Sequence, residues 1–165
     1  MRAKILVIGP RPVFPRLFAS PPTGIEVEIA QNETRLLAIS GRSDLVVVSG
    51  WFNEQPAHPD IVGYAKREFS CPLIGSSDRD SLRDHLMELG CHKVYPKSET
   101  ADQAYKISEL WHNLLASSRK EPGEFYQIIE ARAAALGISF LEALDDLDKE
   151  IDQHHCKVVL QAECS

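Results

Sequence analysis

Gly90-Cys91-His92-Lys93-Val94-Tyr95-Pro96-Lys97-Ser98 carries a helix stop, a strand and a helix start in close succession. Glycine closes the preceding helix because it adopts the left-handed cap without a Cβ clash. Residues 93–96 read as a short strand. A long helix follows from about residue 99 to 118, with Ala104, Ile107, Leu110, Trp111, Leu114 and Leu115 at helical spacing. Strand and helix in alternation are the unit of a parallel α/β sheet, and the same alternation runs back to the amino terminus.

Ile5-Leu6-Val7-Ile8 is a continuous apolar run closed by Gly9-Pro10, the pattern of a strand buried on both faces. The proline-rich stretch over 10–22 leaves room only for a short helix around 12–19. Ile25-Glu26-Val27-Glu28-Ile29 alternates with period two and suits an outer strand. A short helix over 33–39 leads through Gly41 to Asp44-Leu45-Val46-Val47-Val48, whose β-branched composition marks a central strand. Pro59 opens a helix over 59–69, and Pro72-Leu73-Ile74 makes a fourth strand. Ser77-x-x-Asp80 resembles a capping box for the helix that Gly90 ends. Five strands alternating with five helices imply a doubly wound α/β sandwich.

The carboxyl-terminal part differs in kind. Phe125, Ile128 and Ile129 form one helical stripe, and Gly137 interrupts it. Ser139-Phe140-Leu141-Glu142 is a capping box opening a second helix, with Phe140, Leu144, Leu147 and Ile151 on one face. The expectation is an αα-hairpin over 121–165, appended to an α/β domain over 1–120. Its apolar side is the candidate dimerisation surface, and Lys157-Val158-Val159-Leu160 reads as a short strand or an extended end.

At 165 residues and 44% hydrophobic content the chain can bury a core. The net charge of -6 is unevenly shared. Residues 1–120 hold 15 Lys+Arg and 14 Asp+Glu, whereas 121–165 hold 3 and 10. The corner Ala133 to Ser139 has the look of a helix-turn-helix, but its would-be recognition helix carries Glu142, Asp145, Asp146, Asp148, Glu150 and Asp152 against Lys149 alone. Phosphates repel such a surface, so no nucleic-acid partner is expected. The absence of a readable signal peptide or apolar span points to a cytoplasmic chain without membrane contact.

Cys71, Cys91, Cys156 and Cys164 follow no C-x-x-C spacing and read as free thiols. His154-His155-Cys156 with Cys164 lacks the paired spacing of a structural zinc site, so no metal and no cofactor are expected. Phosphate-binding glycine motifs and a nucleophile elbow are missing, and Gly9-Pro10-Arg11-Pro12 lacks the donors of a flavin loop. The sequence therefore implies no enzyme. His58, between Pro56 and Pro59, reads as a loop histidine. Trp51 and Phe52, just past the central strand, serve either as a local lid or as a partner contact.

The order of elements, the strand from Asp44 to Val48 and the segment Met87-Glu88-Leu89-Gly90-Cys91-His92-Lys93-Val94-Tyr95-Pro96-Lys97 together resemble the receiver domain of bacterial response regulators, over roughly residues 4–119. The resemblance implies a flavodoxin-like, CheY-like five-stranded parallel sheet in the order 2-1-3-4-5. Receiver chemistry uses two carboxylates after the first strand for Mg²⁺, an aspartate after the third to accept phosphate, a hydroxyl after the fourth and a lysine after the fifth. Lys97 keeps the lysine place and Ser76 or Ser77 the hydroxyl place, but the metal positions fall on Gly9 and Pro10 and the acceptor on Ser49. Hard cations need oxygen ligands, which the side chains of Gly9 and Pro10 do not supply, and a serine without metal or base is a poor acceptor.

The resemblance thus implies a pseudo-receiver that works by protein contacts in signal transduction. Its output face would include His85, Glu88, His92, Val94, Tyr95, Gln103 and Lys106, with Tyr95 either a switch aromatic or an ordinary strand ring. A second expectation is a small-anion or nucleotide site built from Lys97, Ser49, Ser76, Ser77 and the helix start near Asp78.

Overall fold

The computed structural model describes residues 3–9, 17–18, 20–39, 41–49, 51–52, 55–56 and 59–164, with backbone alone at 51–52, 55–56, 59 and 154–164. Pro10, Arg11, His58 and, apart from Leu17 and Phe18, the helix expected over 12–19 lie outside the described residues. So do the side chains of Trp51, Phe52, His154, His155, Cys156 and Cys164.

Five strands, β1 (Ala3–Ile8), β2 (Ile25–Ala30), β3 (Leu45–Ser49), β4 (Leu73–Ser76) and β5 (Lys93–Tyr95), form one sheet in the order β2-β1-β3-β4-β5. All four pairings are parallel, as the sequence implies. β3 is buried at every residue, which is why its apolar run does not alternate. β2 lies at an edge and keeps Glu26 in solvent, while Glu28 pairs with Lys4 at 2.8 Å.

Successive side chains along a strand point to opposite faces, so the sheet supplies two cores. Leu6, Ile8, Val46, Val48 and Leu73 face one side. There α1 (Glu33–Ala38), α2 (Pro59–Phe69) and α3 (Asp80–Leu89) contribute Leu36, Val62, Ala65, Phe69 and Leu86. Gly75 lets α3 approach: a Cβ there would sit 2.9 Å from Leu86 Cδ1 and 3.0 Å from Val94 Cγ2. Ile5, Val7, Leu45, Val47 and Ile74 face the other side, packed by Ala104 and Ile107 of α4 (Lys97–Ser118) together with Phe18 and Tyr95.

α4 is 22 residues long, about 33 Å at 1.5 Å per residue, and outruns strands of three to six residues. It starts at the carboxyl ends of the strands and returns to their amino ends, where Trp111, Leu114 and Leu115 project beyond the sheet. The chain then turns through Arg119 (φ 56°) into α5 (Pro122–Leu136), and through Gly137 (φ 66°) into α6 (Phe140–Cys164). Ser139 caps α6 as its motif predicts, accepting from the Glu142 amide at 3.2 Å. The αα-hairpin does not stand apart: Phe125, Ile129, Ala133, Phe140, Ala143 and Leu144 join Trp111 and the α1–α3 face in one apolar cluster.

Three local expectations are corrected. α6 runs on through Lys157-Val158-Val159-Leu160, so that segment is helical rather than a strand or an extended end. α4 begins at Lys97, two residues early, because Pro96 fits the extended N-cap backbone. Directly after β3, residues 51–52 and 55–56 form a small antiparallel ribbon that the loop composition concealed. Among the described residues no helix is long and apolar enough to cross a membrane.

Candidate functional site

Parallel register aligns the carboxyl ends of the strands. Ser49 lies opposite Ser76, and Ser76 opposite Tyr95; Gly9 follows Ile8, whose partner is Val48. Gly9, Ser49 and Ser76 therefore share one row at the mouth of the sheet. Ser77 follows, its amide donating to the Tyr95 carbonyl at 3.1 Å, and Lys97 opens α4 nearby. The predicted residues that are described are thus brought together.

Their polar groups, however, are largely committed to the fold. The Thr100 hydroxyl donates to the Pro96 carbonyl at 2.8 Å, so it receives the Ser76 proton across their 2.6 Å contact. Both side chains are buried. Ser77 is no helix cap: its oxygen accepts from the Arg79 amide at 3.1 Å in a local turn, and α3 starts at Asp80 without a side-chain cap. This corrects the capping box read from Ser77-x-x-Asp80.

Asp78 holds the position that sequence reasoning assigned to an incoming anion. Its Oδ1 accepts from the Lys97 amide at 2.9 Å, at the amino end of α4 where the helix dipole favours negative charge. A carboxylate nineteen positions away in sequence gives no local signal of this role, so the cap was missed.

The opposite end of the sheet holds a second polar cluster. Asp44, just before β3, is buried and accepts from the Lys4 amide at 2.8 Å and from Arg42 at 3.1 Å, with His112 Nδ1 at 3.3 Å from its Oδ2. These contacts stitch β1, β3 and the far part of α4 together. Among the described residues no group of three His, Cys, Asp or Glu side chains is placed to hold a metal.

His92, expected on a partner surface, faces the chain's own tail. Its Nδ1 accepts from the Leu73 amide at 2.9 Å, which leaves Nε2 to carry the proton and donate to the Tyr126 hydroxyl at 2.8 Å. The imidazole stacks on Phe140 at 4.2 Å between ring centroids. Burial, reinforced by the Lys66 ammonium, lowers the His92 pKa to about 4, so the ring is neutral. Tyr95 is likewise inside, in the α4 face of the core, with Lys93 Nζ 5.0 Å from its ring centre. Neither side chain is the open contact that the strand pattern suggested.

Burial also pushes the Cys71 thiol well up and that of Cys91 up to about 12, so both stay protonated and unreactive. The proposed dimer stripe is divided in the same way. Phe140 and Leu144 are buried against the body, Leu147 is half-buried, and Ile151 is exposed. Of the four, Leu147 and Ile151 are the ones left accessible on this chain.

No protein-family model and no curated protein matches this chain. Solved structures do match. The signal receiver domain of an HD domain-containing protein from Pseudomonas fluorescens Pf-5 has 16% identity over 68% of this chain and 99% of that one, with a TM-score of 0.53. The receiver domain of the Francisella response regulator 1452 gives 15%, 68%, 99% and 0.54. The phosphorylated cyanobacterial phytochrome response regulator RcpA gives 15%, 67%, 94% and 0.51. At such identities the likeness is one of architecture, and the fold of the α/β part is receiver-like.

Proposed function

We propose that this chain is an atypical, phosphorylation-independent receiver-like protein that acts through protein contacts in bacterial signal transduction, in the cytoplasm and without a reaction of its own. The receiver fold makes signalling the natural setting. One observation supports the rest: Gly9 and Ser49, which the resemblance assigns to the metal and acceptor positions, end β1 and β3 at the mouth of the sheet and carry no carboxylate. Asp78, a carboxylate beside that row, is engaged in capping α4.

The anion-sensing alternative has less support. The Ser76 hydroxyl is engaged in donating a hydrogen bond to Thr100, and Asp78 presents negative charge beside the Lys97 amide. Incubation with radiolabelled acetyl phosphate and Mg²⁺ tests the leading reading. No stable label is expected, and stoichiometric incorporation would refute it. A thermal-shift panel of phosphorylated small molecules tests the alternative: a ligand at a hundred times its Kd stabilises by about 2.7 kcal/mol, and a flat panel removes that reading.

A further inference from the structure

We propose that the groove between the end of α4 and the αα-hairpin is a docking site for a cationic amphipathic helix of a partner protein. This deepens the protein-contact reading on which it rests, by naming the face and the chemistry of the partner. The groove has a volume of about 210 Å³ and is lined chiefly by Leu114, Phe125, Ile128, Leu147 and Ile151, with Lys120 at one end. Ile128 and Ile151 are 42% and 43% exposed, so two large aliphatic side chains from neighbouring helices share one open strip. Helices that lay an apolar face into such grooves anchor through residues at i, i+3, i+4 and i+7.

Charge selects the occupant. Asp145, Asp148 and Asp152 lie at i, i+3 and i+7 along α6, and Asp148 flanks the Leu147–Ile151 stripe. Asp145 has Lys149 at 3.0 Å, and Arg132 bridges Asp146 and Glu150 on the opposite flank, facing α5. Among the described residues no cation is within ion-pair range of Asp148 or Asp152. Crowding shows on Asp148 itself, whose pKa is raised by partial burial and by the carboxylates of Asp152 and Asp145. A second copy of the chain would bring the same aspartates against these, and like charges juxtaposed across an interface oppose association. A helix with Leu along one face and Lys or Arg beside it satisfies both the strip and the rim.

The test uses the full chain and a fluorescein-labelled synthetic peptide with a Leu stripe at helical spacing and Lys elsewhere, read by fluorescence anisotropy. A matched peptide carries Glu in place of Lys. The Lys peptide is expected to bind and the Glu peptide not to. Ile128→Ser with Ile151→Ser should weaken binding at least tenfold. Asp148→Asn with Asp152→Asn should weaken it at least threefold and flatten its salt dependence. Asp84→Asn with Glu88→Gln, which removes the same charge from exposed positions of α3, should leave it unchanged. Failure of the Lys peptide to bind overturns the proposal, as does equal binding by the serine variant, equal loss in the α3 variant, or a dimer that Ile151→Ser dissociates. Each of these results leaves the phosphotransfer experiment unaffected, so the two ideas fail separately.

Discussion

The His92 contact gives the sharpest quantitative prediction, because a buried neutral imidazole couples the docking of the tail to pH. In the unfolded chain its pKa is the ordinary 6.5, and in the folded chain it is about 4. The folded state therefore resists a proton that the unfolded state accepts. His92 leaves stability undisturbed above pH 6.5 and lowers it progressively as pH falls toward 4, below which its effect is constant. The whole interval corresponds to about 3 kcal/mol, of which about 2 kcal/mol is lost by pH 5. Carboxylates also titrate below pH 5, so the clean quantity is the difference between the wild type and His92→Asn. Asn keeps an acceptor for the Leu73 amide but has no proton to gain. Urea denaturation at pH 7.5 should find the variant less stable by about 2 kcal/mol, from the lost Tyr126 bond and Phe140 stacking. The gap should close to near zero by pH 5. A gap that stays constant within about 0.5 kcal/mol from pH 7.5 to pH 5 would refute the buried neutral imidazole.

Gly75→Ala should destabilise by about 1–3 kcal/mol through overpacking against Leu86 and Val94, and an unchanged denaturation midpoint would show that α3 can retreat. Asp44→Ala strands the Lys4 amide and removes the Arg42 and His112 contacts, for a loss of about 2–3 kcal/mol in chemical denaturation; a loss under about 1 kcal/mol would contradict the stitching role. A chain ending at Lys120 uncovers Trp111, Leu114 and Leu115, and it should bind a hydrophobic dye and lose its cooperative melt. A soluble, cooperatively melting fragment would count against the shared core.

The α/β frame was legible because its signals are local. Continuous apolar runs at Ile5 and Leu45, alternation at Ile25, the proline at 59 and the glycines at 90 and 137 each report backbone preference within a few residues. The row of Gly9, Ser49, Ser76 and Lys97 was legible too, since parallel register follows from strand order. What escaped was decided by contacts distant in sequence. Asp78 caps a helix that begins nineteen residues later, and Asp44 meets His112 across sixty-eight. What the tail covers escaped as well, because an amphipathic stripe tells which side is greasy but not what it packs on. Phe140 packs on Trp111 and on His92, a residue that the resemblance assigned to an output face. Ser77 satisfied the letters of a capping box, yet the chain has not entered helix by then.

The overrun of α4 has a consequence during synthesis. Residues leave the ribosome in order, so Trp111 exists as part of the nascent chain before the segment up to Leu144 that will shield it has been translated. At about 5–20 residues per second that interval lasts about 2–7 s, longer than most helical segments take to collapse. Over those seconds a half-made molecule carries a bare indole at the foot of the sheet, which ties the yield of native protein to the thirty-three codons that separate Trp111 from Leu144.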